Sequence, residues 1–179
     1  TPLYSSAASD VYKRQILATD GFEDSELTSP RDAVAEAGAT TVVISTESGD
    51  IEGKKGEKVA VDQTTTEANA ADFDALILPG GTSNADHIRT DEAAVAFVRE
   101  LTQAGKPVGV ICHGGWILTD ADALKGVTMT SYPSLKTDLS NAGATWVDEE
   151  VRVDKRIVSS RTPDDLPAFN AAIVEEFAK

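Results

Sequence analysis

The chain has 179 residues, 41% hydrophobic and 26% charged, with one cysteine and a formal net charge of −14 (pI about 4.4). That length suits one compact domain that buries a core without staples, and no apolar run approaches the ~18 residues needed to cross a bilayer. The acidic balance repels phosphate backbones and anionic lipid, which argues against nucleic-acid or membrane binding.

The negative charges are scattered, as in "VDEEVRVDKR" and "TPDDLPAF". They read as a solubilising surface, with adaptation to high salt as the alternative, since ions screen self-repulsion. A lone cysteine forms no intramolecular disulfide, and no basic stretch followed by an apolar one opens the chain. A reducing cytoplasm is the expected compartment.

The opening "TPLYSSAASDVYKRQ" differs in composition from the rest of the chain. Residues 1–13 read as an assembly scar outside the fold, and 14–179 as the domain. "QILAT" is then a short buried strand. "SPRDAVAEAG" reads as a helix opened by Ser29 and Pro30 and closed by Gly38. "TTVVIST" (40–46) is a strand, and "GDIEGKKGEKVAVD" a β-hairpin excursion. "ALILPGG" (75–81) follows as the next strand.

In "TDEAAVAFVRELTQAGKP", Thr90 is placed as the cap and Asp91 and Glu92 at the positive end. Val95, Val98 and Leu101 form the apolar face, and Gly105 the stop. "PVGVICHGG" (107–115) and "VTMTSY" (127–132) are further strands. "EVRVDKRIVSS" is a hairpin turning at Asp154-Lys155-Arg156. "TPDDLPAFNAAIVEEFAK" is a closing helix capped by Thr162 with Pro163 at its first position. Continuous apolar strands alternating with amphipathic helices predict an α/β sandwich, a mostly parallel sheet covered on both faces. Ligands are expected outside the carboxyl ends of its strands.

Cys112 follows the run "VGVI" and precedes "HGGWILTDADAL". Strand, sharp turn, nucleophile and helix make up the nucleophile elbow. A helix N-terminus there lowers a thiol pKa and aims N–H groups at a developing oxyanion. The other reading of a free cysteine is inert burial. His113 is adjacent in sequence, which does not by itself bring its ring to the thiol, and His87 sits near a helix start. Two histidines and one cysteine lack zinc-ligand spacing, so no metal site is expected.

Glu23, Asp24 and Glu26 follow the first strand. They complement a helix dipole, or else one of them meets the thiol, with burial raising its pKa so that it donates a proton. Pro79-Gly80-Gly81 forms a glycine turn, or a close backbone approach to a reacting carbonyl. All three loops open at one sheet edge.

Together the strings "ATDGFEDSELTSPRDA", "DALILPGG", "GKPVGVICHGGWIL", "TSYPSLKTDLSNAGATWVDEEVRVD" and "SSRTPDDLPAF" resemble the PfpI family of the DJ-one/PfpI superfamily, relatives of the class I glutamine amidotransferases. Gly115 stands where the family's "CHGP" has proline, a departure expected to loosen the first helical turn. The resemblance implies a flavodoxin-like three-layer sandwich with Cys112 as nucleophile. Glu26 would be the protonated carboxyl touching it, and Glu23 a second acid in the pocket. Gly80, Gly81 and the His113 backbone match the oxyanion-hole positions, and Tyr132 a pocket-lining tyrosine.

The resemblance also implies a homodimer or hexamer in which an acid from a neighbouring subunit, at the position of Asp86, completes His113. It implies no cofactor. The implied activities are an intracellular cysteine peptidase and cofactor-free handling of methylglyoxal, as the free aldehyde or as glycation adducts on protein or nucleotide. A stress sensor or chaperone-like holdase whose Cys112 oxidises reversibly is the other class.

Overall fold

The computed structural model describes residues 13–179. The expectation for residues 1–12 lies outside the described residues. Strand β1 (Lys13–Leu17) takes in Lys13, one residue ahead of the expected start of the domain. The chain continues through α1 (Asp24–Glu36), β2 (Thr40–Ser45), β3 (Asp50–Glu52), β4 (Lys58–Ala60), β5 (Gln63–Thr64) and β6 (Ala75–Leu78). Then come α2 (Thr82–Ile88), α3 (Glu92–Gln103), β7 (Val108–Ile111), α4 (Trp116–Asp120), β8 (Thr128–Met129) and α5 (Lys136–Asn141). It closes with β9 (Thr145–Trp146), β10 (Arg152–Asp154), β11 (Ile157–Ser160) and α6 (Leu166–Phe177).

Seven strands form one sheet in the order β10-β11-β7-β6-β1-β2-β5, parallel except for the β10–β11 hairpin. This is the flavodoxin-like α/β sandwich that the alternating pattern predicts. Because side chains alternate along each strand, two cores form. Leu17, Leu76, Leu78, Val108 and Val110 pack with Phe97, Val98 and Leu101 of α3 and with α4 and α5. Ile16, Ile77, Ile111 and Val158 pack on the opposite face with Leu27 of α1 and Phe169 and Ile173 of α6.

Four elements differ from the sequence expectation. Helix α1 begins at Asp24 rather than Ser29, because the Glu26 N–H already closes a turn on the Glu23 carbonyl at 3.0 Å; Pro30 falls inside the helix. Helix α3 is capped by Asp91, whose side chain accepts from the Ala93 N–H at 3.0 Å. Thr90 instead donates to the His87 carbonyl and finishes α2. The stretch 127–132 contributes only β8, which pairs with β9 outside the main sheet. Its Thr128 and Thr130 N–H groups are taken by the side chains of Asp154 (2.7 Å) and Ser159 (3.0 Å). At the C-terminal end, Pro163–Asp165 make a separate 3-10 turn and α6 starts at Leu166; the Asp165 carboxylate, held by Arg161, sits between them. Among the described residues, no helix is long and apolar enough to cross a membrane.

β1 lies between β6 and β2, so its side chains enter the two cores, yet it carries Gln15 with no exposed surface. Neither atom of that amide has a hydrogen-bond partner. An unpaired buried amide costs about 1–3 kcal/mol. Gln15→Met, similar in volume and free of that demand, should raise the free energy of urea unfolding by a comparable amount; unchanged or lower stability would mean that the amide is satisfied in solution.

Candidate active site

Strands β1, β6 and β7 end side by side, and the loops leaving them build the site. β7 runs extended to Ile111 (φ −133°), and the backbone then turns abruptly at Cys112, a non-glycine residue at φ +61°. Left-handed geometry at such a residue costs on the order of 1–3 kcal/mol and persists only where the surroundings impose it. Here the Tyr132 N–H donates to the Cys112 carbonyl at 3.1 Å. A short 3-10 turn (Cys112–Gly115) leads into α4. Gly115 adopts an ordinary φ of −72°, and a Cβ there would meet only Leu139 and Met129 at ordinary contact distance, so its lack of a side chain answers no steric need.

The first turn of α1 carries Glu26 to the sulfur. Glu26 has no exposed surface, its Oε1 accepts the Gly80 N–H at 2.9 Å, and its Oε2 is buried without a hydrogen-bond partner, with the Cys112 side chain beside the carboxyl. A methyl group on Gly80 would lie 2.3 Å from Glu26 Oε1 and 2.8 Å from Cys112 Cβ. Only glycine lets thiol, carboxyl and backbone meet there.

Burial, and then the Glu23 charge, push the Glu26 carboxyl up to about 7 against the pull of the Gly80 N–H and Lys54. Burial and the Glu26 carboxylate likewise push the Cys112 thiol up to about 12. This reverses the sequence expectation of an acidified thiol. The N–H groups of His113 and Gly81 and the charge of Lys54 do favour the thiolate, but they are outweighed. A buried carboxylate and thiolate in contact do not ionise together, so near neutrality the pair carries one negative charge at most.

His113 reaches the thiol after all: Nδ1 lies 3.3 Å from Sγ, and Nε2 lies 3.4 Å from Ser134 Oγ. The ring stacks on Tyr132 (centroids 4.6 Å, interplanar 26°) and meets the edge of Trp116. Burial and Lys54 lower its pKa, leaving a neutral imidazole at neutral pH.

Glu23 is buried and binds both Lys54 and Lys55, the latter at 3.0 Å. Burial raises its pKa, but the two lysines more than offset that and hold it below the usual carboxylate range. Both lysines sit on the loop between β3 and β4. That loop is docked by Asp24, whose carboxylate accepts the Lys55 and Glu57 N–H groups at 3.0 Å each.

Gly80 stands in the site in a different role from the one expected, because its N–H is spent on Glu26. Gly81 and His113 supply the N–H groups at sulfur. Asp86 is exposed on α2. His87 is also exposed, its Nδ1 donating to the Ser83 carbonyl at 2.7 Å, and it borders a different cleft with Thr19, Asp20 and Thr46. Lys54, Lys55 and Ser134 were not singled out from sequence. The one available signal was the chain's single Lys-Lys pair at a hairpin tip in an acidic protein. Among the described residues, no three His, Cys, Asp or Glu side chains gather as metal ligands.

A thiol at a strained strand-to-helix elbow, beside a buried carboxyl, marks this flavodoxin-like domain. The pattern of the DJ-1/PfpI family matches residues 13–176, and the chain belongs to that family. It is 49% identical over 159 residues to Bacillus subtilis (strain 168) YraA, which carries a provisional cysteine protease name, covering 88% of this chain and 94% of that protein. It is 48% identical over 161 residues to protein/nucleic acid deglycase 2 of Escherichia coli (strain K12), covering 88% and 93%. Among solved structures, a two-domain protein from Anabaena variabilis with DJ-1/ThiJ/PfpI-like and ferritin-like domains superposes with TM-score 0.90 at 36% identity. That match covers 93% of this chain and 48% of the larger one.

The buried carboxyl has a thermodynamic signature. Glu26 ionises near 4.5 when unfolded and near about 7 when folded, so between those values folding takes up a proton and stability falls as pH rises. By about pH 8 the accumulated cost is about 3 kcal/mol, and below about pH 4 it is absent. Glu26→Gln should therefore be more stable than wild type at about pH 8, by most of that amount, with the advantage vanishing in acid. Urea unfolding at the two pH values reads this; an advantage independent of pH would show that Glu26 is not held protonated by the fold.

Proposed function

We propose that this chain is a cysteine-dependent, cofactor-independent enzyme of glyoxalase or deglycase type. Its substrates on this reading are methylglyoxal and its early adducts on protein or nucleotide. The observation that carries the reading is the buried Glu26 carboxyl against the Cys112 thiol. Glu26 takes the thiol proton as sulfur adds to the aldehyde carbon, and the Gly81 and His113 N–H groups face the oxygen that gains charge. The hemithioacetal carbon then loses its proton to a base while the neighbouring carbonyl oxygen gains one. Reprotonation of the resulting enediol at the second carbon gives a lactoyl thioester on Cys112. Water hydrolyses it to lactate and restores the thiol. From a glycated amine, the sulfur displaces nitrogen at the hemiaminal carbon, the amine leaves with the thiol proton passed on by Glu26, and the same hemithioacetal results.

Peptide hydrolysis is the weaker version, since a small pocket at a subunit interface would admit a folded polypeptide poorly. The reading from a different class is a stress sensor that works by oxidation of Cys112. Turnover needs a proton shuttle, and oxidation needs mainly the thiolate. The reducing cytoplasm is the compartment that suits either.

Lactate formation from methylglyoxal by wild type, Cys112→Ala and Glu26→Gln, beside casein digestion, separates these readings. Loss of the thiol should abolish lactate formation, and Glu26→Gln should lower it by ~10²–10⁴-fold, the usual cost of losing a general acid–base. Wild-type rates in Glu26→Gln would favour the sensor, and Cys112-dependent casein cleavage without lactate the peptidase. The rate should rise through about pH 7, where the pair loses its first proton.

Asp86, exposed on α2, is proposed to reach His113 of a neighbouring copy in a dimer or hexamer. Mixing Asp86→Asn with Cys112→Ala chains then creates hybrid sites with both residues intact, so activity reappears from two inactive parents. Demonstrated subunit exchange without recovery would remove Asp86 from the mechanism.

A further inference from the structure

The donors facing Cys112 depend on a peptide that its own residues do not immobilise. Gly80 and Gly81 are adjacent, and Gly81 stands at φ +89°. A Gly–Gly unit turns over with little steric resistance. In one orientation it presents the Gly81 N–H to the sulfur; turned over, it would present the Gly80 carbonyl oxygen, which repels a thiolate and an oxyanion alike. The C=O and N–H of a trans peptide point in opposite directions. Whatever holds the Gly80 oxygen on the far side therefore decides what Cys112 meets.

Two donors hold it. The Glu23 N–H lies 3.2 Å away, and Asn84 Nδ2 lies closer, at 2.9 Å. Asn84 is 1% exposed, and the same Nδ2 donates to the Pro79 carbonyl at 3.2 Å. Its Oδ1 accepts the Thr19 N–H at 2.8 Å, which ties the loop after β6 to the loop after β1. The position needs donor and acceptor at one short side-chain end: aspartate lacks the donor, and an aliphatic residue lacks both.

We propose that Asn84 is a positioning residue of the Cys112 site, locking the Gly80–Gly81 peptide with its N–H toward the reacting sulfur; the inference deepens the thiol-nucleophile reading above and rests on it. Asn84 touches neither sulfur nor substrate. It acts through the Gly81 N–H, in surroundings where Glu26, Lys54 and the His113 ring also act on the thiol.

The test compares Asn84→Asp and Asn84→Ala with wild type. Aspartate keeps the size and the acceptor for Thr19 but sets a carboxylate against two carbonyls. Alanine adds no charge, so an effect common to both variants is not Coulombic. Thiolate absorbance and the rate of iodoacetamide alkylation are followed against pH, with circular dichroism to confirm the fold. Both variants should move the thiolate step to higher pH and slow alkylation. With methylglyoxal, kcat should fall by ~10²-fold, the usual loss for one oxyanion donor, with KM little changed.

A purely structural role would lower the melting temperature and leave the titration and kcat at wild-type values; folded variants behaving so overturn the proposal. If neither variant folds, the wild type decides. The Gly81 amide proton should shift in NMR spectra in step with Cys112 ionisation and lose that response in Cys112→Ala, and a Gly81 resonance indifferent to the thiol overturns the proposal. Titration and alkylation need no carbonyl substrate, so an absence of lactate in wild type would sink the functional reading while leaving Asn84 tested.

Discussion

A carboxyl group with no exposed surface, set beside a half-buried thiol, is the constraint around which the rest of this molecule is arranged. Glu26 stays buried with only its Oε1 satisfied, by the Gly80 N–H, and burial raises the carboxyl's pKa, which favours the neutral form. That in turn requires glycine at 80, a left-handed backbone at 112, and strands β1, β6 and β7 ending together. The parallel sheet supplies the last condition directly, since its neighbouring strands deliver their following loops to the same edge.

The arrangement trades stability for reactivity. A buried acid, a strained cysteine and a buried glycine pair all disfavour the folded state locally. Two well-packed cores on either side of the sheet carry that load. The charge pattern follows the same division. A molecule with net charge −14 places two lysines at the mouth of its thiol site, where Lys54 favours the ionised forms of Glu23, Glu26 and Cys112.

Much of this was legible because it is local. Apolar runs ending in glycines mark β6 and β7, and an acid-rich string after β1 marks the start of α1. The elbow cysteine and its carboxyl neighbour are therefore visible in the strings that match the family. What was not legible depends on tertiary burial or on docking. The direction of the Cys112 shift depends on how deeply Glu26 and the sulfur are enclosed, and no sequence spacing encodes that depth. The partner of β8 is decided by Asp154 and Ser159, side chains that take its N–H groups from across a turn. Asn84 reads in sequence as a mediocre helix residue, and its three hydrogen bonds join loops that lie far apart along the chain. Lys54 and Lys55 lay in a hairpin that looked peripheral until Asp24 was seen to fasten it.

That fastening has an evolutionary consequence. The β3–β4 loop reaches the site through backbone N–H groups bound by Asp24, and backbone groups are indifferent to the side chains beside them. Lys54 and Lys55 can therefore be exchanged while the loop keeps its place, whereas Gly53 cannot, since a Cβ there would lie 2.3 Å from Asp24 Oδ1. The elbow and the two lysines beside it are thus free to diverge at different rates, so that the charge facing the thiol can change across one scaffold while its backbone does not.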